Sequence, residues 1–493
     1  VVVALVASAC TVEGGAAAER PRRGSTTTGR GTTTGTTEPG GQPLAHWSPC
    51  HRSFECATIE VPLDYAHPDG KTIELALIRH PADDPAHRVG ALLMNPGGPG
   101  GSALDLVQQY PRSGPIGDRF DLVGFDPRGV GESTPLDCHS HLQELYDADP
   151  TIDSPADRDE ILRVSKAFVD ECRTKYADLL PHLGTTDVAR DMDRVRQALG
   201  ERQISYLGFS YGTSIGQEYA RLFPTRVRAM VLDGVVDQAP DGLTMAASQA
   251  AGFSTALTSY EQHCDQGDGC GFGRPAQQVI DQVEAEVEKA PLAAPEADRA
   301  ATPGVFSVGM AQALYSEQLW STLSAALRQA ADGDGSGLVE LADEYLGRED
   351  DGSYDSGFEI YFAVSCLDDP WPKDPQAILD RAAQVGKQYP LFGEAIVGDY
   401  VRCALWPTPP QPLRPVPADT KGLPPIVVVS TTHDPATPYE NGVAVAKQIP
   451  GAVLVTNEGE GHTIVGQGKP CIDDLVAAYL VDLTVPDDGT TCS

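Results

Sequence analysis

Basic residues are scarce in this chain of 493: 36 lysines and arginines stand against 70 aspartates and glutamates, a formal charge of −34. So negative a surface repels phosphate backbones and anionic lipid, which excludes nucleic-acid binding as its occupation. The acidic residues form no long block, so they read as a solubilising surface. Paired Cys-x-x-Cys clusters are missing, and with them the usual zinc pattern. Beyond the first nine residues no apolar run approaches the ~18 residues that span a bilayer. Internal repeats are also absent. Two weak metal-like patterns occur. His139-Ser140-His141 reads as surface. Asp332-x-Asp334-x-Ser336-Gly337 imitates a calcium loop but puts Asp343, a poorer bidentate ligand than glutamate, at its last place. No metal or cofactor is expected.

What is present is an ordinary globular composition, 41% hydrophobic and 22% charged. At about 150 residues per domain, three domains or one large α/β domain with an insertion both fit. Eleven cysteines point to disulfides and an oxidising compartment. Sequential pairing (Cys50–Cys56, Cys138–Cys172, Cys264–Cys270, Cys366–Cys403, Cys471–Cys492) would use ten of them, although sequence alone does not fix connectivity. The eleventh, Cys10, follows an apolar stretch ending in small residues. That resembles the end of a bacterial lipoprotein signal, with Cys10 as the lipidated residue; an ordinary secretory signal is the alternative. Residues 11–45, rich in Gly, Thr, Ala and Pro, cannot bury enough apolar surface to fold and read as a tether.

From Cys50 onward short apolar runs alternate with amphipathic segments. Thr72–Arg79, Ala91–Asn95, Phe120–Phe125, Ile204–Gly208 and Ala229–Leu232 read as strands, and Ser165–Tyr176 and Thr186–Leu199 as helices. Such alternation predicts a mostly parallel sheet. Between about 240 and 400 the pattern is helical with Gly/Asp-rich joints; Pro425–Ser430 and Val453–Thr456 then return to strand. The expected organisation is a signal end (1–10), a tether (11–45), a sheet domain in two parts (46–240 and 401–493), and a helical lid (241–400) inserted between them.

Gly208-Phe209-Ser210-Tyr211-Gly212 fits Gly-x-Ser-x-Gly, a strand-to-helix turn that lifts a serine hydroxyl off the sheet. Gly212-Thr213-Ser214-Ile215-Gly216 fits it too, but Ser214 would lie one turn into the following helix. Ser210 is therefore the expected nucleophile. Asp434 stands just past the strand Pro425–Ser430, and His462 is the only histidine after it. The order serine, acid, histidine is that of an α/β hydrolase. Asp434 is read as the acid and His462 as the base, with Asp233 as reserve acid. The loop Asn95-Pro96-Gly97-Gly98-Pro99-Gly100-Gly101-Ser102 offers bare amides, and the oxyanion hole is assigned to the amides of Gly98 and Tyr211. A dinucleotide loop with Asp126 on a ribose is the rival, disfavoured by the prolines and the missing Gly-x-Gly-x-x-Gly spacing.

Together, Asn-Pro-Gly-Gly-Pro-Gly-Gly-Ser, Asp126-Pro127-Arg128-Gly129, Gly-Phe-Ser-Tyr-Gly-Thr, Leu232-Asp233-Gly234, Cys366-Leu367-Asp368-Asp369 and Asp434-Pro435-x-Thr437-Pro438 resemble the secreted tripeptidyl-aminopeptidase branch of the proline-iminopeptidase-like α/β hydrolases. The likeness extends through about 400–493. Gly461-His462-Thr463 departs from the Gly-His-Gly often seen in relatives. The resemblance implies an exopeptidase that acts through an acyl-enzyme on peptides with a free N-terminus. Such an enzyme needs a carboxylate for the substrate ammonium, and Asp368, Asp369 and Glu359 are the candidates. Relatives of this kind are also described as carboxylesterases, so an ester hydrolase of the envelope is the second reading. A non-catalytic envelope lipoprotein, held to the membrane only by its lipid, is the third. Oligomeric state is not legible.

Overall fold

A computed structural model of the protein describes residues 44–493 except 153, 267 and 268. Cys10, the signal and residues 11–43 of the tether lie outside the described residues.

Ten strands form one sheet: β1 (Ser48–Cys50), β2 (Phe54–Pro62), β3 (Thr72–His80), β4 (Gly90–Asn95), β5 (Phe120–Phe125), β6 (Ile204–Phe209), β7 (Val227–Asp233), β8 (Ile426–His433), β9 (Val453–Glu460) and β10 (Thr490–Cys492). Their order is β1-β2-β3-β5-β4-β6-β7-β8-β9-β10. The β1, β2, β3 and β5 contacts are antiparallel, and every pairing from β5 to β10 is parallel. This is the α/β-hydrolase fold. β4, β5 and β6 are buried at every position, as strands covered on both faces must be.

Side chains alternate between the two faces. Ala91 and Leu93 of β4 pack with Val188, Met192, Ile215 and Tyr219 on one side. Leu92 and Met94 pack with Leu104, Val107, Ile472 and Val476 on the other. Between β7 and β8 the chain is helical from Gly242–Asp265 to Val401–Leu405. Phe253, Met310 and Phe362 of this block join the same core as the sheet's first face, so the block is fused to it.

Some boundaries differ from expectation. The helix expected at Ser165 starts at Pro155, where Ser154 and Asp157 form a reciprocal cap. β9 runs on through the polar Asn457 and Glu458 because its pairing with β8, not its hydrophobicity, carries it to Glu460. The five disulfides join the sequential cysteine pairs. Asp343 of the calcium-like pattern is paired with Arg299 and Arg348, and Asp334 accepts from Ser336 of its own turn.

Candidate active site

Strand order reverses at β4, whose neighbours are β5 and β6. The chain leaves β4 in one direction and returns on the other side, which opens a crevice at the carboxyl ends of β4 and β6. The Gly-rich loop follows β4, and Ser210 follows β6.

Ser210 has φ +53, the left-handed conformation a nucleophile elbow imposes on a residue with a side chain. Its N–H donates to the Asp233 carbonyl at 2.9 Å, and its own carbonyl accepts from the Thr213 amide at 2.8 Å and hydroxyl at 2.6 Å. Ser214 lies in the first turn of helix Gly212–Leu222. The Gly-rich loop passes directly over the elbow. A Cβ on Gly97 would fall 2.7 Å from Ser210 Cβ and 3.0 Å from the Tyr211 nitrogen. The amides of Gly98 and Tyr211 donate to no protein group among the described residues, and both residues face the pocket beside Ser210. They are free to receive a developing oxyanion.

Asp126 fixes that loop from behind. Its Oδ1 accepts from Ser102 Oγ at 2.9 Å and the Leu104 amide at 3.3 Å, and its Oδ2 from the Glu132 amide at 3.1 Å. Both oxygens are thus engaged in holding the protein's own loop, and the residue is buried. Arg128 of the same motif is fully buried, bidentate to Asp191 at 2.7 Å on both arms, so it serves the structure beneath the site.

His462 Nδ1 lies 2.9 Å from both oxygens of Asp434. Asp434 in turn accepts the amides of Ala436 and Thr437 at 2.9 and 2.8 Å on Oδ1, and the Thr437 hydroxyl at 3.0 Å on Oδ2. His462 Nε2 is buried without a partner among the described residues, the nitrogen left for proton transfer. Ser210 and His462 both lie against one junction: the Ser210 N–H donates to the Asp233 carbonyl, and a Cβ on the next residue, Gly234, would lie 2.9 Å from His462 Cε1. Asp233, the reserve acid, is not on the imidazole. Its Oδ2 accepts the amides of Ile464 and Val465 instead.

Tyr315 escaped sequence analysis. Its carbonyl accepts the His462 N–H at 2.9 Å and its ring meets the imidazole edge-on at 5.5 Å. It comes from the helical block, and no local pattern marks it. With Tyr345, Tyr361 and Tyr400 it lines the pocket in front of Ser210.

The three carboxylate candidates separate. Asp369 lines the pocket with no cation partner among the described residues, and burial, with Asp241 nearby, pushes its carboxyl up to about 7. Asp368 also lines it, but its oxygens already accept the Thr185 amide at 3.0 Å and hydroxyl at 2.6 Å, and that hydroxyl meets the Tyr211 phenol at 2.5 Å. Asp368 thereby braces the residue after the nucleophile. Glu359 is a correction. It is wholly buried against the Cys138 amide (3.4 Å) and His139 (3.7 Å), away from the pocket. At about 100° per residue, nine residues along helix Gly357–Asp368 put Glu359 on the face opposite Asp368.

A family model described as TAP-like protein matches residues 389–492. Serine protease Hip1 of Mycobacterium tuberculosis is 40% identical over 92% of this chain and 91% of its own length. Carboxylesterase B of the same species is 40% identical over 92% and 90%. Tripeptidyl aminopeptidase of Streptomyces lividans is 32% identical over 90% and 84%.

Proposed function

The chain belongs to the TAP-like family of α/β hydrolases and is a serine hydrolase, and from that premise we propose that it is an aminopeptidase releasing short, tripeptidyl-type peptides from a free N-terminus. Ser210 Oγ attacks the scissile carbonyl carbon and its proton passes to His462 Nε2. The oxyanion is received by the amides of Gly98 and Tyr211. The C–N bond breaks as His462 returns the proton to the leaving amine, leaving an acyl-enzyme. Water then attacks the acyl carbon, gives one proton to His462, and Ser210 departs with that proton, leaving a carboxylic acid that ionises to solvent. Asp434 holds the ring and balances the imidazolium charge.

One observation carries the exopeptidase reading: the Asp369 carboxyl is at the pocket wall and has no cation partner among the described residues. A substrate ammonium would supply the missing charge. The same triad cleaves esters, and the 40% identity to a protein named carboxylesterase keeps that as a second reading.

The test compares a tripeptidyl anilide with a free amine, its N-acetylated twin and a short p-nitrophenyl ester, on wild type and Ser210→Ala. Cleavage of only the free-amine peptide, lost in the variant, supports the proposal. Ester turnover without peptide turnover moves the chain to the second reading. Five disulfides suit an oxidising compartment. We place the enzyme at the outer face of the cell envelope, anchored through Cys10. Mass spectrometry of the N-terminal peptide from native cells tests that anchor.

A further inference from the structure

Asp233 takes no part in the steps above, yet it touches both halves of the site. It ends β7, fully buried. Its Oδ2 accepts the Ile464 amide at 2.7 Å and the Val465 amide at 2.8 Å. Those amides follow His462 by two and three residues, with Thr463 between them at φ +61. Its backbone carbonyl accepts the Ser210 N–H at 2.9 Å. Oδ1 has no partner.

A carboxylate buried this way is costly, because two amide bonds replace a full hydration shell. Burial accordingly pushes its carboxyl up to about 6 against the opposing pull of the two amides. The cost has a local return. Asp434 fixes which way the imidazole faces, but it does not fix where residues 461–465 run. Thr463 stands where β-carbon sterics favour glycine, so the loop holds that conformation only while something over-determines it. The two amide bonds to Asp233 are the restraint immediately beyond it. Because the same residue's carbonyl receives Ser210, base and nucleophile are referred to one point on the sheet.

We propose that Asp233 is a positioning residue, tying the loop of His462 to the turn of Ser210 and so fixing where Nε2 stands relative to Oγ. The inference rests on the serine-hydrolase roles of Ser210 and His462. It assigns Asp233 no contact with the imidazole nitrogens, since Asp434 occupies Nδ1. What Asp233 supplies is an acceptor for two amides, a task an asparagine oxygen performs equally and an alanine does not.

The experiment measures fluorophosphonate labelling of Ser210 in wild type, Asp233→Ala, Asp233→Asn and Asp434→Asn, with thermal melts and with kcat and KM on the p-nitrophenyl ester. Labelling needs His462 to take the Ser210 proton but needs no peptide, so it does not depend on substrate class. Displacing a reacting group by about 1 Å costs on the order of a hundredfold in rate. The alanine protein is expected to label and turn over on that order more slowly with KM unchanged, and the asparagine protein to recover nearly all of the rate. An alanine protein that is folded and labels at the wild-type rate overturns the positioning role alone. If alanine unfolds the chain, asparagine decides: wild-type labelling supports the clamp, and labelling as slow as Asp434→Asn overturns it, because charge and not the acceptor would then matter. A wild type that fails to label overturns the serine-hydrolase roles, and this role with them.

Discussion

His462 Nδ1 sits 2.9 Å from each oxygen of Asp434, and both of those oxygens are held from behind by the Ala436–Thr437 turn. A carboxylate gripped on four sides cannot swing away. The proton therefore stays on Nδ1, and Nε2 remains the acceptor that Ser210 needs. Asp434→Asn would leave the shape intact but place an NH2 donor against Nδ1, favouring the wrong tautomer. The expected outcome is a fall in kcat of about 10⁴ with little change in KM or melting temperature. Initial rates beside a thermal melt measure it, and a fall of less than about tenfold would remove Asp434 from the orienting role.

Gly97 gives a steric test of the oxyanion loop. It has φ +100, and a Cβ there would lie 2.6 Å from the Phe209 carbonyl oxygen and 2.7 Å from Ser210 Cβ. Both neighbours belong to the elbow, which has no slack. Gly97→Ala should push the Gly98 amide away from Ser210 and lower kcat by about 10²–10³, the loss seen when one oxyanion donor is removed. Turnover of the ester at saturating substrate, with a melt to show the fold intact, checks it. Unchanged kcat would mean the loop does not serve the oxyanion.

The strand-end placement of Ser210, Asp434 and His462 was legible because each follows a strand that opens on a short apolar run, and the order of those strands fixes which loops meet. Of the sequential disulfides, Cys50–Cys56 and Cys264–Cys270 were legible from partners six residues apart, whereas the other three join cysteines 21 to 37 residues apart that only the fold brings together. The ammonium anchor was not. Glu359, Asp368 and Asp369 look alike as a local acidic group, and only the rotation of helix Gly357–Asp368 against the sheet decides that Glu359 faces Cys138 and Asp369 the pocket. Tyr315 was invisible because its contact with His462 exists only once the helical block has folded back. Asp233 was noticed as a strand-end acid, but the amides that occupy it lie 231 and 232 residues away.

The pocket carboxyl of Asp369 predicts a pH dependence in KM. Burial first, and Asp241 second, push it up to about 7. Above that pH it is ionised and offers the counter-charge an ammonium needs; below it the site is neutral until substrate recruits the charge. KM for the free-amine peptide should therefore rise as pH falls through about 7, while KM for the ester stays flat. Asp369→Asn should raise the peptide KM roughly 10- to 100-fold above about pH 7, the worth of a hydrogen bond to a charged group, and progressively less below it, where the wild-type carboxyl is already neutral. Parallel pH profiles for peptide and ester would remove Asp369 as the anchor.

The buried carboxyls also set how stability varies with pH. Burial pushes Asp126 and Asp233 up to about 6, Asp369 to about 7, and Glu359 and Asp368 to about 8. In the unfolded chain the same groups release their protons near pH 4. Between about pH 4 and 8 the folded protein thus binds more protons than the unfolded one, and stability falls as pH rises through that window. Surface carboxylates whose pKa is lowered by partners, such as Asp64 beside His67, Asp84 beside His87 and Asp178 beside Lys71, titrate below the window. Self-repulsion among the surplus acidic residues acts in the same direction as the buried carboxyls. The melting temperature is therefore expected to be higher near pH 5 than near pH 8. Glu359→Gln removes one contribution without touching the pocket. It should raise the melting temperature at about pH 8, change it little at about pH 5, and leave kcat alone. A wild-type melting temperature that instead climbs from about pH 5 to 8 would mean these carboxyls are not governed by burial.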